Sequence, residues 1–202
     1  MKTLTIAIIS IITLIFMSGC VKEPKVEKLP KKVYTQVGMW YLKKNATICT
    51  HKDILKDEGE YINVDRTIPS VNYSRFEFIP VNTMVTIIDE ITDNAIVFEY
   101  EGKKAVLFNK KGYTGLSENG LRQRMFSEIP VDLTKFTDNE RRNIKQGEVA
   151  LKMSKEAIIL SRGYPPIHRT SNLDKNVWRY WEGRFNSRNY IFEKNILIRI
   201  DE

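Results

Sequence analysis

The segment from Leu4 to Met17 carries no charge and runs into Ser18-Gly19-Cys20, so it separates a leader from everything that can fold in water. Lys2 supplies a positive start, the apolar run a hydrophobic middle, and Ser18 and Gly19 the small residues before a cut. That is the layout of a secretory signal. The run falls short of the roughly 20 apolar residues a spanning helix needs, which sets an uncleaved N-terminal anchor helix against the signal reading. Export also bears on charge. The chain has 202 residues and a formal net charge of +7. A basic balance raises nucleic acid as a partner, but an exported chain does not meet it. A basic segment beside anionic lipid fits better. With 28% charged and 42% hydrophobic residues, the rest of the chain is expected to fold as one large or two small soluble bodies.

Met17-Ser18-Gly19-Cys20 resembles the bacterial lipobox, in which small residues precede an obligatory cysteine. The resemblance implies that residues 1–19 are a lipoprotein signal peptide, and that the chain is cut before Cys20. It further implies that the Cys20 thiol is diacylated and that the protein's first partner is a lipid bilayer. Each buried CH₂ contributes about 0.8 kcal/mol, so two or more acyl chains hold a protein stably. Val21 stands where an Asp would imply inner-membrane retention, so the resemblance implies the outer membrane, facing the periplasm. Residues 20–33 are charged and contain Pro24 and Pro30, and read as an extended tether. With Cys20 acylated, Cys49 has no partner for an internal disulfide. It is expected to be a buried small hydrophobe, with a reactive thiol as the alternative.

Residues 34–128 read as short strands separated by turns. The apolar runs are Met39 to Leu42, Phe76 to Ile79, Met84 to Ile91, Ala95 to Tyr100 and Lys104 to Phe108, with Glu101-Gly102-Lys103 as a hairpin signal. Lys110 to Tyr113 and Glu118-Asn119-Gly120 are expected to be turns. Together these suggest a small barrel or sandwich. Ile79-Pro80-Val81-Asn82-Thr83-Met84-Val85-Thr86-Ile87, followed by the 96–108 hairpin, resembles bacterial SH3-like domains. Such domains bind peptides, cell-wall fragments or proteins. The aromatics Trp40, Tyr41, Tyr61, Tyr73, Tyr100 and Tyr113 either line a groove or fill the core, and the core is the expectation.

Residues 134–202 carry sharper local signals. Thr137-Asp138-Asn139-Glu140 is a capping box and predicts a helix ending at Gly147. Ser154 caps a second helix over residues 155–162, ended by Gly163 and Pro165-Pro166. Strands are expected over 176–181, 189–193 and 196–200, with a turn at 193–195. Two helices and a three-strand meander make a two-layer α+β unit. Gly147-Glu-Val-Ala-Leu-Lys-Met-Ser-Lys-Glu-Ala, then Gly163-Tyr-Pro, Trp178-Arg-Tyr and the strand from Phe192 to Ile200 resemble the SmpA/OmlA (BamE-like) family. The fold class expected for the whole chain is therefore mixed β and α+β, with an SH3-like barrel followed by a BamE-like two-layer domain. The family resemblance implies an outer-membrane assembly or transport complex as the partner.

The densest run of aromatics and arginines lies between Tyr164 and Phe185. Arg and Trp are overrepresented at binding hot spots. The residues expected at a partner-binding edge are Tyr164, His168, Arg169, Trp181 and Arg184. The alternative is that strand alternation buries Trp178 and Tyr180 while Trp181 and the arginines are incidental surface. The two histidines, His51 and His168, have no metal spacing, and no G-x-S-x-G, H-E-x-x-H or glycine-rich phosphate loop occurs. Asp89-Glu90 occupy adjacent strand positions and would face opposite sides, unsuited to shared acid/base work. The chain is thus expected to be a non-enzymatic envelope lipoprotein without cofactor or metal that binds a protein partner. Peptidoglycan binding through the SH3-like module is the alternative.

Overall fold

The computed structural model describes residues 31–53, 58–69, 77–91, 95–183 and 185–202, with backbone alone along 41–53, 58–67, at 69 and along 89–91. These residues form a mixed α/β structure with mostly antiparallel sheets and four helices. The signal segment, Cys20 and Arg184 lie outside the described residues, as do the side chains of Cys49 and His51.

The first sheet is built from β1 (Lys31–Thr35), β2 (Met39–Asp53), β3 (Glu58–Pro69), β4 (Glu77–Ile79), β5 (Met84–Ile91), β6 (Ala95–Tyr100), β7 (Lys103–Phe108) and β8 (Phe126–Ser127). Its order is β4-β2-β3-β7-β6-β5-β1-β8. All pairings are antiparallel except β3 with β7, where Arg66 to Pro69 run parallel to Ala105 to Phe108. The β6–β7 hairpin turns at Glu101 and Gly102, both at positive φ (50° and 68°). Gly supplies that conformation without strain, and the twist of such a turn matches the strands it joins. Ala95 to Phe98 are buried at every position, so this central hairpin is covered on both faces. That is why its sequence is a continuous apolar run and does not alternate.

Three expectations change here. The tether ends earlier than residue 33: Lys31, Lys32 and Val33 already pair with Ile87, Thr86 and Val85, and Val33 is buried. The two expected turns at 110–113 and 118–120 instead open helices, α1 (Lys111–Thr114) and α2 (Glu118–Met125). Ser117 explains the second: its hydroxyl accepts from the Gly120 N–H, so a residue run that reads as turn becomes the first turn of a capped helix. α2 then lays Leu121 and Met125 on the sheet, closing the first core around Met39, Ile79, Phe98 and Leu107.

The second core follows its local signals. α3 (Asp138–Gln146) starts at a complete capping box between Thr137 and Glu140 and ends at Gly147, φ 70°. α4 (Lys155–Arg162) starts at Ser154, whose hydroxyl accepts from the Ala157 N–H. The sheet β11-β10-β9 is the expected meander of β9 (Val177–Trp181), β10 (Ser187–Glu193) and β11 (Ile196–Asp201). Alternation turns Trp178, Tyr180, Tyr190 and Phe192 onto the helices, where they are buried with Ile144, Met153 and Ile158. Removing one such aromatic would cost roughly 3–5 kcal/mol.

The two cores meet through a built joint. The Gly38 N–H donates to the Leu160 carbonyl at 2.8 Å. A Cβ on Gly38 would lie 2.4 Å from the Phe78 ring and 2.5 Å from the Ser161 carbonyl oxygen, so only glycine fits. Val81, from the turn before β5, is buried in the second core, and Ile159 of α4 packs on both. Asn82 grips the connecting segment with both ends of its amide, donating to the Val131 carbonyl at 2.8 Å and accepting from the Val131 N–H at 2.7 Å.

Candidate functional site

At one edge of this joint, α1 meets the turn that follows α4. The Ile167 N–H donates to the Tyr113 carbonyl at 2.7 Å. Pro166 accepts from the N–H groups of Arg169 and Thr170, and the Thr170 hydroxyl accepts from the Arg179 N–H of β9 at 2.9 Å. This backbone stitching fixes three aromatic rings in a row. Tyr113 meets His168 edge-on at 4.3 Å, and His168 stacks toward Trp181 at 6.2 Å and 27°. A cation closes each end: the Lys110 ammonium lies 4.2 Å above Tyr113, and the Arg169 guanidinium lies 5.3 Å from the Trp181 ring centre. Such pairs contribute about 0.5–1 kcal/mol each where exposed.

The electrostatics of this ladder are one-sided. Burial pushes the His168 imidazole below its usual value, and the charges of Arg169 and Lys110 push it the same way. No carboxylate acts on it among the described residues, so nothing there orients it as a general base. Arg169 forms no ion pair among the described residues, and the Trp181 indole N–H is covered without an acceptor there.

Beneath the ladder, Arg162 is 1% exposed. Its guanidinium donates to the Trp181 carbonyl at 2.8 Å, pairs with Glu182 at 3.0 Å, and lies between 5 and 6 Å from the Tyr180 and Tyr190 ring centres, at 5.2 and 5.8 Å. Burial raises the hydroxyls of both tyrosines, Tyr190 to about 12, with Arg162 opposing. The Tyr180 hydroxyl donates to the Gly163 carbonyl at 2.8 Å. Arg162 therefore anchors the strand end that carries Trp181.

Of the residues expected at a binding edge, His168, Arg169 and Trp181 come together. Tyr164 does not join them: it packs on the first core with the Arg124 guanidinium 4.3 Å above its ring, beside a cavity of about 20 Å³ that has room for one water. Arg184 is outside the described residues. Outside the expected turn at 110–113, the sequence reading names Tyr113 only among the aromatics that line a groove or fill the core, with the core as the expectation, and does not name Lys110; both lie in the 34–128 stretch. The signal was the Lys-Lys-Gly-Tyr cluster itself, a cation beside an aromatic in a run taken for a turn.

One larger groove, of about 380 Å³, lies between α4 and β9 beside Lys155, Leu173, Asp174 and Trp178. Its buried cation is already occupied: the Lys155 ammonium donates to the Leu173 and Asp174 carbonyls at 3.0 and 3.1 Å. Among the described residues no group of three His, Cys, Asp or Glu side chains could hold a metal ion. No helix among them is long and apolar enough to cross a membrane.

Comparisons with family models, with curated proteins and with solved structures each give no match to this chain. Fold and site define it as a mixed α/β protein of two joined cores that presents a row of aromatics closed by cations.

Proposed function

We propose that this protein is a lipid-anchored envelope lipoprotein whose folded part is a non-catalytic binding or scaffold module for a protein partner, held at the outer membrane on its periplasmic side. In this reading Cys20 carries the acyl chains, the first core is an SH3-like barrel, and the second is a BamE-like two-layer domain. The Pro80 turn into β5 and the β6–β7 hairpin support the SH3-like part. The helix pair capped at Thr137 and Ser154 over a three-strand meander supports the BamE-like part.

The observation that carries the binding role is the ladder. Lys110 and Tyr113 come to it from the 34–128 stretch and His168, Arg169 and Trp181 from the 134–202 stretch, and its backbone is held by hydrogen bonds from α1, α4's following turn and β9. Aromatic and Arg side chains fixed at a surface are what energetic hot spots are made of. A photo-crosslinking residue placed at Trp181 in living cells is expected to capture the same envelope protein repeatedly, and one placed at exposed Lys145 is not. Cys20→Ala should release the chain from the membrane fraction. Equal capture from both positions, or none from Trp181, sinks the binding role. A Cys20→Ala chain that stays on the membrane sinks the anchor.

A further inference from the structure

We propose that the outer face of the β9–β10–β11 sheet is a self-association surface, on which a second copy of this chain packs face to face about a two-fold axis along β10. The proposal goes beyond the binding role above and does not use the ladder. It starts from an anomaly of patterning. The inner face of this sheet is spent on α3 and α4, where Trp178, Tyr180, Tyr190 and Phe192 are buried. An antiparallel sheet covered on one side is expected to be polar on the other. This one carries Val177, Ile196 and Ile198 at 49%, 38% and 50% exposure. Register gathers them into one patch. Val177 stands opposite Ile191 of β10, Ile191 opposite Arg199 of β11, and Glu193 opposite Ile196. Ile198 is the residue left over where the register shifts between Ile191 and Phe192. Apolar side chains grouped on a surface mark an interaction site, whereas scattered ones do not.

The charges beside this patch choose the occupant. The next row across the sheet is Arg179, Asn189 and Asp201, in register over the three strands. A cation stands at one edge of the face and a carboxylate at the other, on either side of the middle strand. A half-turn about an axis along β10 keeps each row at its level and exchanges the two edges. β9 of one copy then lies over β11 of the other, so Arg179 meets Asp201 of the second copy, and this contact forms twice. Ile191 falls on the axis against its own counterpart. Val177 lies over Ile198 and the aliphatic stem of Arg199, whose guanidinium is drawn aside to Asp201 at 2.8 Å. Arg179 is available for the contact: it donates to the Ser187 hydroxyl at 2.8 Å and pairs with no carboxylate among the described residues. A two-fold interface uses the same patch on both copies and so has to complement itself. An unrelated partner would place no such demand on the two edges of one row. Strand spacing and rise make the face roughly 14 by 20 Å. That is smaller than the ~800 Å² per partner of a standard interface, so the pair is weak and depends on concentration.

The test uses the full chain purified in mild detergent, with Ile191→Cys in a Cys49→Ser background, treated with a short bis-maleimide. The same chain without Ile191→Cys gives the background. Crosslinked dimer is expected at least tenfold above that from Lys145→Cys, on the exposed end of α3, and should fall on dilution and with salt, because exposed charges are screened. Adding Arg179→Asp or Asp201→Arg should each cut the yield at least tenfold, since like charges then face each other across the axis. Mixing these two variants in equal amounts should restore it to within twofold of the parent, because both contacts of a mixed pair join opposite charges. Equal yields from positions 191 and 145 overturn the proposal. So does an Arg179→Asp chain that crosslinks like the parent, or a loss that mixing does not restore. Sedimentation velocity of the unsubstituted chain depends on no variant: its mass should rise toward that of a dimer with concentration, and a monomer throughout overturns the proposal.

Discussion

Phe78 closes over Gly147 so tightly that a Cβ on the glycine would lie 2.6 Å from the ring. The ring comes from β4 of the first sheet and the glycine ends α3 of the second core, so one contact ties both halves. Gly147→Ala adds this clash to a left-handed backbone at φ 70°, which alone costs an L-residue roughly 1–2 kcal/mol. The variant is expected to lose at least about 2 kcal/mol, and Phe78→Leu should recover part of that in the double variant. Urea unfolding of the four proteins checks it. Strict additivity would deny the contact.

Because Phe78, Val81 and Ile159 bridge the two cores, the chain is expected to melt in one transition. Calorimetry should give equal calorimetric and van't Hoff enthalpies. Two resolved peaks would show that the halves unfold separately.

Arg162 and Glu182 make a second test. Glu182→Gln removes the carboxylate 3.0 Å from a guanidinium that is 1% exposed, and should cost about 3 kcal/mol or more. Arg162→Met fills the space with an apolar chain and should cost less. It also removes the bond to the Trp181 carbonyl, so the Trp181 fluorescence should change even where stability does not. Thermal melts and emission spectra separate the two effects.

Two aromatic truncations should behave oppositely. Tyr180→Phe removes the bond to the Gly163 carbonyl and should cost about 1 kcal/mol or more, since that carbonyl stays buried. Trp181→Phe removes an indole N–H that has no acceptor among the described residues, so it gives up no hydrogen bond there. Its stability should lie within about 0.5 kcal/mol of the parent. Chemical denaturation of both variants decides it.

Acid should loosen the α3 start. Burial works against charge on the Glu140 carboxyl, but hydrogen bonds from Ser154 and Thr137 outweigh it and hold the group below its usual value of 4.5. A carboxyl lowered by folding contributes stability that is present above 4.5 and lost as pH falls through its folded value. Glu140→Gln should therefore be less stable than the parent at pH 7, with the difference shrinking toward pH 3. A constant gap across that range would refute the assignment.

How much of this was legible follows from how local each signal is. The α3 and α4 boundaries could be read because Thr137, Ser154, Gly147 and Gly163 act within one helical turn. α1 and α2 could not, because Gly112 and Gly120 sit inside the helices, α1 has no side-chain cap, and α2 is capped by a single serine. β2 was legible only at its start. Beyond Leu42 the polar run Lys43-Lys44-Asn45 breaks the apolar pattern, yet pairing continues from Ala46 with Val64 to Asp53 with Glu58. The ladder was half visible: His168, Arg169 and Trp181 lie within one stretch of fourteen residues. Tyr113 joins them where the Ile167 N–H is bonded to its carbonyl, a tertiary contact that the local Lys-Lys-Gly-Tyr cluster does not by itself announce.

The parallel pairing of Arg66–Pro69 with Ala105–Phe108 also sets a tempo. Antiparallel neighbours joined by hairpins can zip from their turns. These two strands must wait for a long stretch of intervening chain to come round, and the entropy of that closure is spent before any contact rewards it. Refolding should be paced by this seam, and the helical half, whose contacts are short-range, should be formed while the large sheet is still open.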